Sequence, residues 1–205
     1  MTPRFVHLHL HSEYSLVDGL IRLPGLISHC VEHNVPAIAL TDQSNVFGVS
    51  KFYRRAMSDG VKPIIGTEVW LHDEAKPCPE YRVVLLCQNN AGYRNLSHLI
   101  TKAYRKGQKG GVPRVQPEWL TAEGLKGLIC LSGGLDGDLG QCFFNGEKRH
   151  IEDRIDFWME LLGDRYFVEI TRTGKEREEA FLQFVVPICA EKNTPLVATN
   201  NVRFL

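Results

Sequence analysis

Three histidines alternate near the start of the chain, His7-Leu8-His9-Leu10-His11, and Ser12-Glu13-Tyr14-Ser15 and Asp18 follow them. On an extended strand, period-2 alternation sends the imidazoles to one face and Val6, Leu8 and Leu10 to the other. Imidazoles at i and i+2 can face one cation, and this donor type suits zinc, iron or manganese. The plainer reading is a packed polar interior in which the rings bond to neighbouring loops. Asp18 and Glu68 add carboxylates, and a glutamate inside PIIGTEVWL must face a polar partner, because an unpaired buried carboxylate is very costly. Thr41-Asp42-Gln43-Ser44-Asn45 ends another apolar run, where Asp42 and Asn45 could equally cap the next helix.

These residues need elements to carry them. Short apolar runs read as strands at Phe5–Leu10, Ala37–Thr41, Pro63–Leu71, Arg82–Gln88, Leu128–Ser132, Tyr166–Ile170 and Leu196–Thr199. Amphipathic patterns between them predict helices over Leu23–His33, Gly48–Ser58, Ala91–Arg105, Lys148–Leu161 and Glu176–Lys192. Asn34-Val35-Pro36 and Asn193-Thr194-Pro195 stop helices and lead into strands, since a residue before proline avoids the α region. Such alternation predicts an α/β fold on a largely parallel sheet, closed as a barrel or doubly wound. In either case functional groups gather at the carboxyl ends of strands, where the unusual polar residues fall. Residues 72–81 read as an exposed loop joining two strands as a hairpin. Residues 106–117, with three basic residues and no acid, read as a mobile surface loop.

Composition narrows the class. The chain has 205 residues, 24 Lys+Arg against 24 Asp+Glu, and 43% hydrophobic residues. That suits one domain, residues 1–205, with a sizeable core, and excludes a disordered chain. Neutrality disfavours a module that grips nucleic acid over its whole surface. Six cysteines without a C-x-x-C pair read as buried thiols of a cytosolic protein. No run approaches the ~20 apolar residues of a membrane span, and MTPRFVHLHLH lacks the features of a signal peptide. The expected location is the cytoplasm, with no membrane partner.

FVHLHLHSEYSLVDG, TDQSNVFG, PIIGTEVW, NNAGYRNL, ICLSGG and VATNNVRF occur in this order between Phe5 and Leu205. Together they resemble the N-terminal polymerase-and-histidinol-phosphatase (PHP) domain of bacterial replicative DNA polymerases, the DNA polymerase III alpha subunits in particular. The resemblance implies a distorted seven-stranded β/α barrel of TIM-like type, present here without the polymerase region. Active members of the family hold a metal cluster at the carboxyl ends of the strands. His9, His11, Asp18 and Glu68 match its ligand positions. Gln43, Arg82, Gly134, Asn201 and Arg203 depart from the pattern, standing where histidine, histidine, cysteine, aspartate and histidine are usual.

Arginine is permanently protonated and repels a divalent ion. The expectation is therefore a vestigial metal site with no cofactor, in which Arg82 and Arg203 pair with Asp18, Asp42 or Glu68. The resemblance implies a non-catalytic module in DNA replication that docks the proofreading exonuclease subunit and sits among the remaining polymerase III subunits. The parent chain would be a DNA-directed DNA polymerase, a nucleotidyltransferase, whose polymerase region makes the main DNA contacts. The alternative is a metal-dependent phosphoesterase, a 3′–5′ exonuclease or pyrophosphatase, using zinc, manganese or iron. A further possibility is weak DNA contact through Lys106, Lys109 and Arg114.

Overall fold

The computed structural model of the chain describes residues 5–16, 18–74 and 80–205. The fold is mixed α/β, built on an eight-stranded mixed sheet. Strands pair in the order Gln108–Lys109, Val112–Val115, Lys62–His72, Glu80–Cys87, Leu128–Leu131, Tyr166–Thr171 and Leu196–Thr199, with Ala37–Leu40 beside Lys62–His72. In chain order the elements begin with α1 (Leu23–Glu32), β1 (Ala37–Leu40), α2 (Val49–Ser58), β2 (Lys62–His72) and β3 (Glu80–Cys87). Next come α3 (Asn90–Lys106), β4 (Gln108–Lys109), β5 (Val112–Val115) and β6 (Leu128–Leu131). The chain continues through α4 (Asp138–Phe144), α5 (Ile151–Leu162), β7 (Tyr166–Thr171), α6 (Glu178–Glu191) and β8 (Leu196–Thr199). Contacts divide it into two compact units, Met1–Glu68 with Thr199–Leu205, and Val69–Ala198.

In the first unit, α1 repeats its apolar residues at Leu23, Leu26, Ile27 and Cys30, so one face is buried. Pro24 lies in its first turn, where a missing N–H costs nothing. Asn34 ends it at φ 55°, and Val35 N donates to Cys30 O at 2.8 Å, so the left-handed residue satisfies a terminal carbonyl. The buried face packs with Phe52 and Ala56 of α2 and with Leu10, Ile38 and Leu40. β1 pairs in parallel with β2 from Ala37↔Lys62 to Leu40↔Ile65.

The first expected strand is reduced to a bridge, Leu10↔Val202. The backbone around it is still held on both sides. Ala39 N donates to His7 O and Thr41 N to Leu10 O, each at 2.9 Å, while His11 N donates to Val202 O at 2.9 Å. This short extended segment is what aims the histidines.

In the second unit, β3 pairs with β6 antiparallel and β6 with β7 parallel. The sheet is thus less parallel than the strand–helix alternation predicts. Residues 106–117 also differ from expectation. They contain the hairpin β4–β5, turned by Gly110 and Gly111 at positive φ, and β5 joins β2 with Trp70↔Arg114. Buried Pro113 and Val115 anchor that hairpin, which glycine and charge content alone conceal. α4, absent from the periodicity reading, carries buried Asp138. Its carboxylate accepts from Arg154 Nη1 and, at 3.0 Å, from Trp158 Nε1.

The expected exposed loop at 72–81 falls partly on residues 75–79, outside the described residues. His72 closes β2 and Glu80 opens β3. Cys78 lies there as well; the other five cysteines are free thiols. Among the described residues no helix is long and apolar enough to cross a membrane.

Candidate metal centre

His9 and His11 leave the extended segment on the same side, as period 2 requires, and both are buried. Glu68 reaches them from β2, whose backbone at that point bridges Gln43. His9 Nε2 lies 3.3 Å from His11 Nε2 and 3.3 Å from Glu68 Oε1, and His11 Nε2 lies 3.6 Å from Glu68 Oε2. An ion bound tetrahedrally with bonds of roughly 2.0–2.2 Å separates its ligand atoms by roughly 3.3–3.6 Å. The triad therefore has the spacing of three ligands around one ion. Among the described residues it is the group of three or more His, Cys, Asp or Glu side chains that converges in this way.

Asp18 does not join the triad. Its Oδ1 sits 3.1 Å from His11 Nδ1, on the far side of the ring. There it meets Arg203, whose Nη1 donates to Asp18 Oδ2 and lies 3.1 Å from His11 Nδ1. Arg203 Nε donates to Asn201 Oδ1 at 3.0 Å. Two departures from the family pattern thus support one another: the amide at 201 orients the guanidinium at 203. Gln43 Nε2 donates to Glu68 Oε2 at 3.4 Å, a neutral donor facing the triad's carboxylate.

Asp42 was expected among arginine partners, and the structure gives it others. It accepts from Ser12 N at 2.7 Å, from Ser12 Oγ, and from Ser15 Oγ at 2.8 Å. A buried polar group needs hydrogen-bond partners, and an amide and two hydroxyls fill that need here. Ser15 Oγ also lies 3.1 Å from His11 Nδ1 and accepts from Gln43 N at 3.1 Å. Sequence reasoning passed over the two serines. Their only signal is the i, i+3 spacing directly behind His11.

Arg82 belongs to the second unit, where its Nη2 pairs with Asp136 at 3.0 Å and its guanidinium stacks over Trp70 at 4.8 Å. Nothing in the sequence pointed to either partner. Gly134 follows β6 at φ 60°, a left-handed conformation that suits glycine better than the cysteine of the family pattern. His7 stands apart from the triad, its ring edge-on to Phe5 at 5.0 Å.

Burial pushes the His11 imidazole far down, to about 3; Glu68 and Asp42 work against this, while His9 and Arg203 add to it. The ring is neutral at physiological pH, as a metal ligand must be. Burial also lowers the Arg203 pKa, which leaves the guanidinium charged.

The His11 tautomer then decides what the triad can hold. With the proton on Nδ1 and donated to Asp18, the Nε2 lone pair faces His9 and Glu68, an arrangement that orients metal-binding histidines. With Nδ1 accepting from Arg203, Nε2 carries the proton and offers no lone pair.

A family model described as PHP domain matches residues 7–173. DNA polymerase III subunit alpha of Pseudomonas aeruginosa is 42% identical over 205 residues, covering 100% of this chain and 17% of the relative. The subunit of the same name in Escherichia coli K12 is 39% identical over 203 residues, covering 99% of this chain and 17% of the relative. The chain thus spans about a sixth of these curated relatives. Among solved structures, a Bifidobacterium adolescentis protein described as a metal-dependent phosphoesterase superposes with a TM-score of 0.65 at 11% identity, covering 98% of this chain and 89% of that one. A Chromobacterium violaceum amidohydrolase gives 0.65 at 12% identity, covering 97% and 87%. At such identities the likeness is one of fold.

Proposed function

The chain belongs to the PHP domain family, and we propose that it is the PHP module of a replicative DNA polymerase III alpha subunit, acting in DNA replication in the cytoplasm. In this reading residues 1–205 form a structural and docking module, the distorted barrel of the family. Its partners are the proofreading exonuclease subunit and the other polymerase III subunits. Nucleotidyl transfer and the main contacts with DNA belong to the remaining length of such a protein.

The observation that supports a non-hydrolytic role is Arg203. Its guanidinium pairs with Asp18 and stands at His11 Nδ1, where it supplies positive charge and favours the tautomer without a free Nε2 lone pair. The site accordingly works without a cofactor. Mixing the chain with its cognate exonuclease subunit at micromolar concentration, followed by size-exclusion chromatography, yields a complex. The same preparation shows no metal-stimulated hydrolysis of a generic phosphodiester. Separate elution at those concentrations counts against docking.

The second reading, a metal-dependent phosphoesterase, draws on the ligand-like spacing of His9, His11 and Glu68. Zinc, manganese or iron held there would supply Lewis-acid polarisation of a phosphoryl oxygen and a hydroxide from bound water. In that case His9, His11 and Glu68 hold the ion and Asp18 fixes the His11 ring. Turnover that needs metal and disappears in His9→Ala selects this reading over the first.

A further inference from the structure

Charge in this neutral chain is unevenly spread. Between Glu80 and Glu118 there is no aspartate or glutamate, while seven lysines and arginines occur. The centre of this stretch is α3, which carries Arg94, Lys102, Arg105 and Lys106. Its apolar side, Leu96, Leu99, Ile100 and Ala103, is buried, and the four cations and His98 are exposed. At 100° per residue, Arg94, His98, Lys102 and Arg105 fall within a sector of about 80°. Tyr93 and Tyr104, each 38% exposed, lie within about 20° of one another beside that sector. Lys109 extends the basic surface from β4.

Ordinary helix physics accounts for only part of this. Arg105 and Lys106 favour the negative end of the helix dipole, whereas Arg94 sits near the positive end and gains nothing there. A solvated helix commonly intersperses acids that pair with its cations at i, i+4, and α3 has none. Among the described residues Arg94, Arg105 and Lys106 make no ion pair. Lys102 lies over the Trp119 ring at 4.5 Å. The nearby carboxylates are at the border: exposed Glu118, Glu123 at 3.9 Å from Lys126, and exposed Glu74 at 4.0 Å from Lys109.

We propose that this face of α3, with Lys109, docks the phosphodiester backbone of a single-stranded nucleic acid, while Tyr93 and Tyr104 stack against its bases. The cations provide a track that every phosphate can use, and the paired exposed rings favour unstacked bases over an acidic protein surface, which needs no aromatic platform. Binding is weak and salt-sensitive, in keeping with a net charge of zero over the whole chain. This inference stands apart from the docking and metal readings above.

The test is fluorescence anisotropy of a labelled oligothymidine of about 20 nucleotides with the full chain, titrated at salt from about 50 to 200 mM. The triple variant R94Q/R105Q/K106Q binds about tenfold or more weakly at low salt, and its log–log salt slope falls by about 2, near 0.7 per lost contact. Replacing both tyrosines, Y93A/Y104A, weakens binding and leaves the slope unchanged. If the triple variant fails to fold by circular dichroism, Arg94→Gln alone lowers the slope by about 0.7. Wild-type affinity in a folded triple variant overturns the proposal. So does displacement by polyglutamate as effective as by unlabelled oligothymidine, which would assign the face to an acidic protein.

Discussion

His11 has two ring nitrogens with opposed surroundings, and its burial has a measurable consequence. Nε2 faces His9 and Glu68; Nδ1 faces Asp18, Ser15 and Arg203. The folded pKa is near 3, and an unfolded histidine titrates near 6.5. Above pH 6.5 both states are neutral and the full stability is present. As pH falls towards 3, the unfolded chain takes up a proton that the folded chain refuses, so stability is lost. The expected slope from this one group is about 1.4 kcal/mol per pH unit below pH 6. Urea denaturation between pH 7 and 5 measures it, and His11→Gln should flatten the curve. An unchanged slope in that variant would remove His11 from the account. The histidine pair and both carboxylates were readable as candidate ligands from type and spacing. That Asp18 stands behind the ring was not, because its position depends on Arg203, 185 residues away in sequence.

At the scale of elements, two helical glycines make opposite predictions. A Cβ on Gly92, near the start of α3, would lie 1.9 Å from Gly127 O, a backbone atom with little freedom to move. Gly92→Ala should cost about 1–3 kcal/mol through overpacking. On Gly25 of α1 the nearest foreign atom is Leu205 Cδ1 at 3.7 Å, an ordinary contact. Gly25→Ala should therefore stabilise the protein, by about 0.4–1 kcal/mol, by restricting the unfolded chain. Thermal melts of the two variants should move in opposite directions; movement in the same direction would contradict this packing. Sequence periodicity located all five expected helices, because burial of one face repeats locally. It missed α4 and the β4–β5 hairpin. Those elements are too short to show a period, and their support comes from buried Asp138 and from pairing with β2.

For the molecule as a whole, zero net charge and an isoelectric point near 7.1 predict a solubility minimum close to neutral pH. Raising the salt should relieve it, since attraction between opposite patches is screened over about 10 Å at 0.1 M. Precipitation assays from pH 6 to 9 check this, and a flat profile would show that the patches do not meet. The relevant asymmetry is local: an acid-free stretch around α3 within a balanced chain.

The sequence by itself determined the order of the five longer helices and the strands between them, the candidate ligands and the positions where the family pattern is broken, since these are properties of residue type and short spacing. The tertiary structure decided how the charges are shared. It placed Arg203 with Asp18, gave Asp42 to two serines, and set His9, His11 and Glu68 at ligand spacing. Each of those outcomes depends on distant segments meeting in a buried place, where every charged group must find a partner within a few ångströms. No local pattern encodes which partner that is.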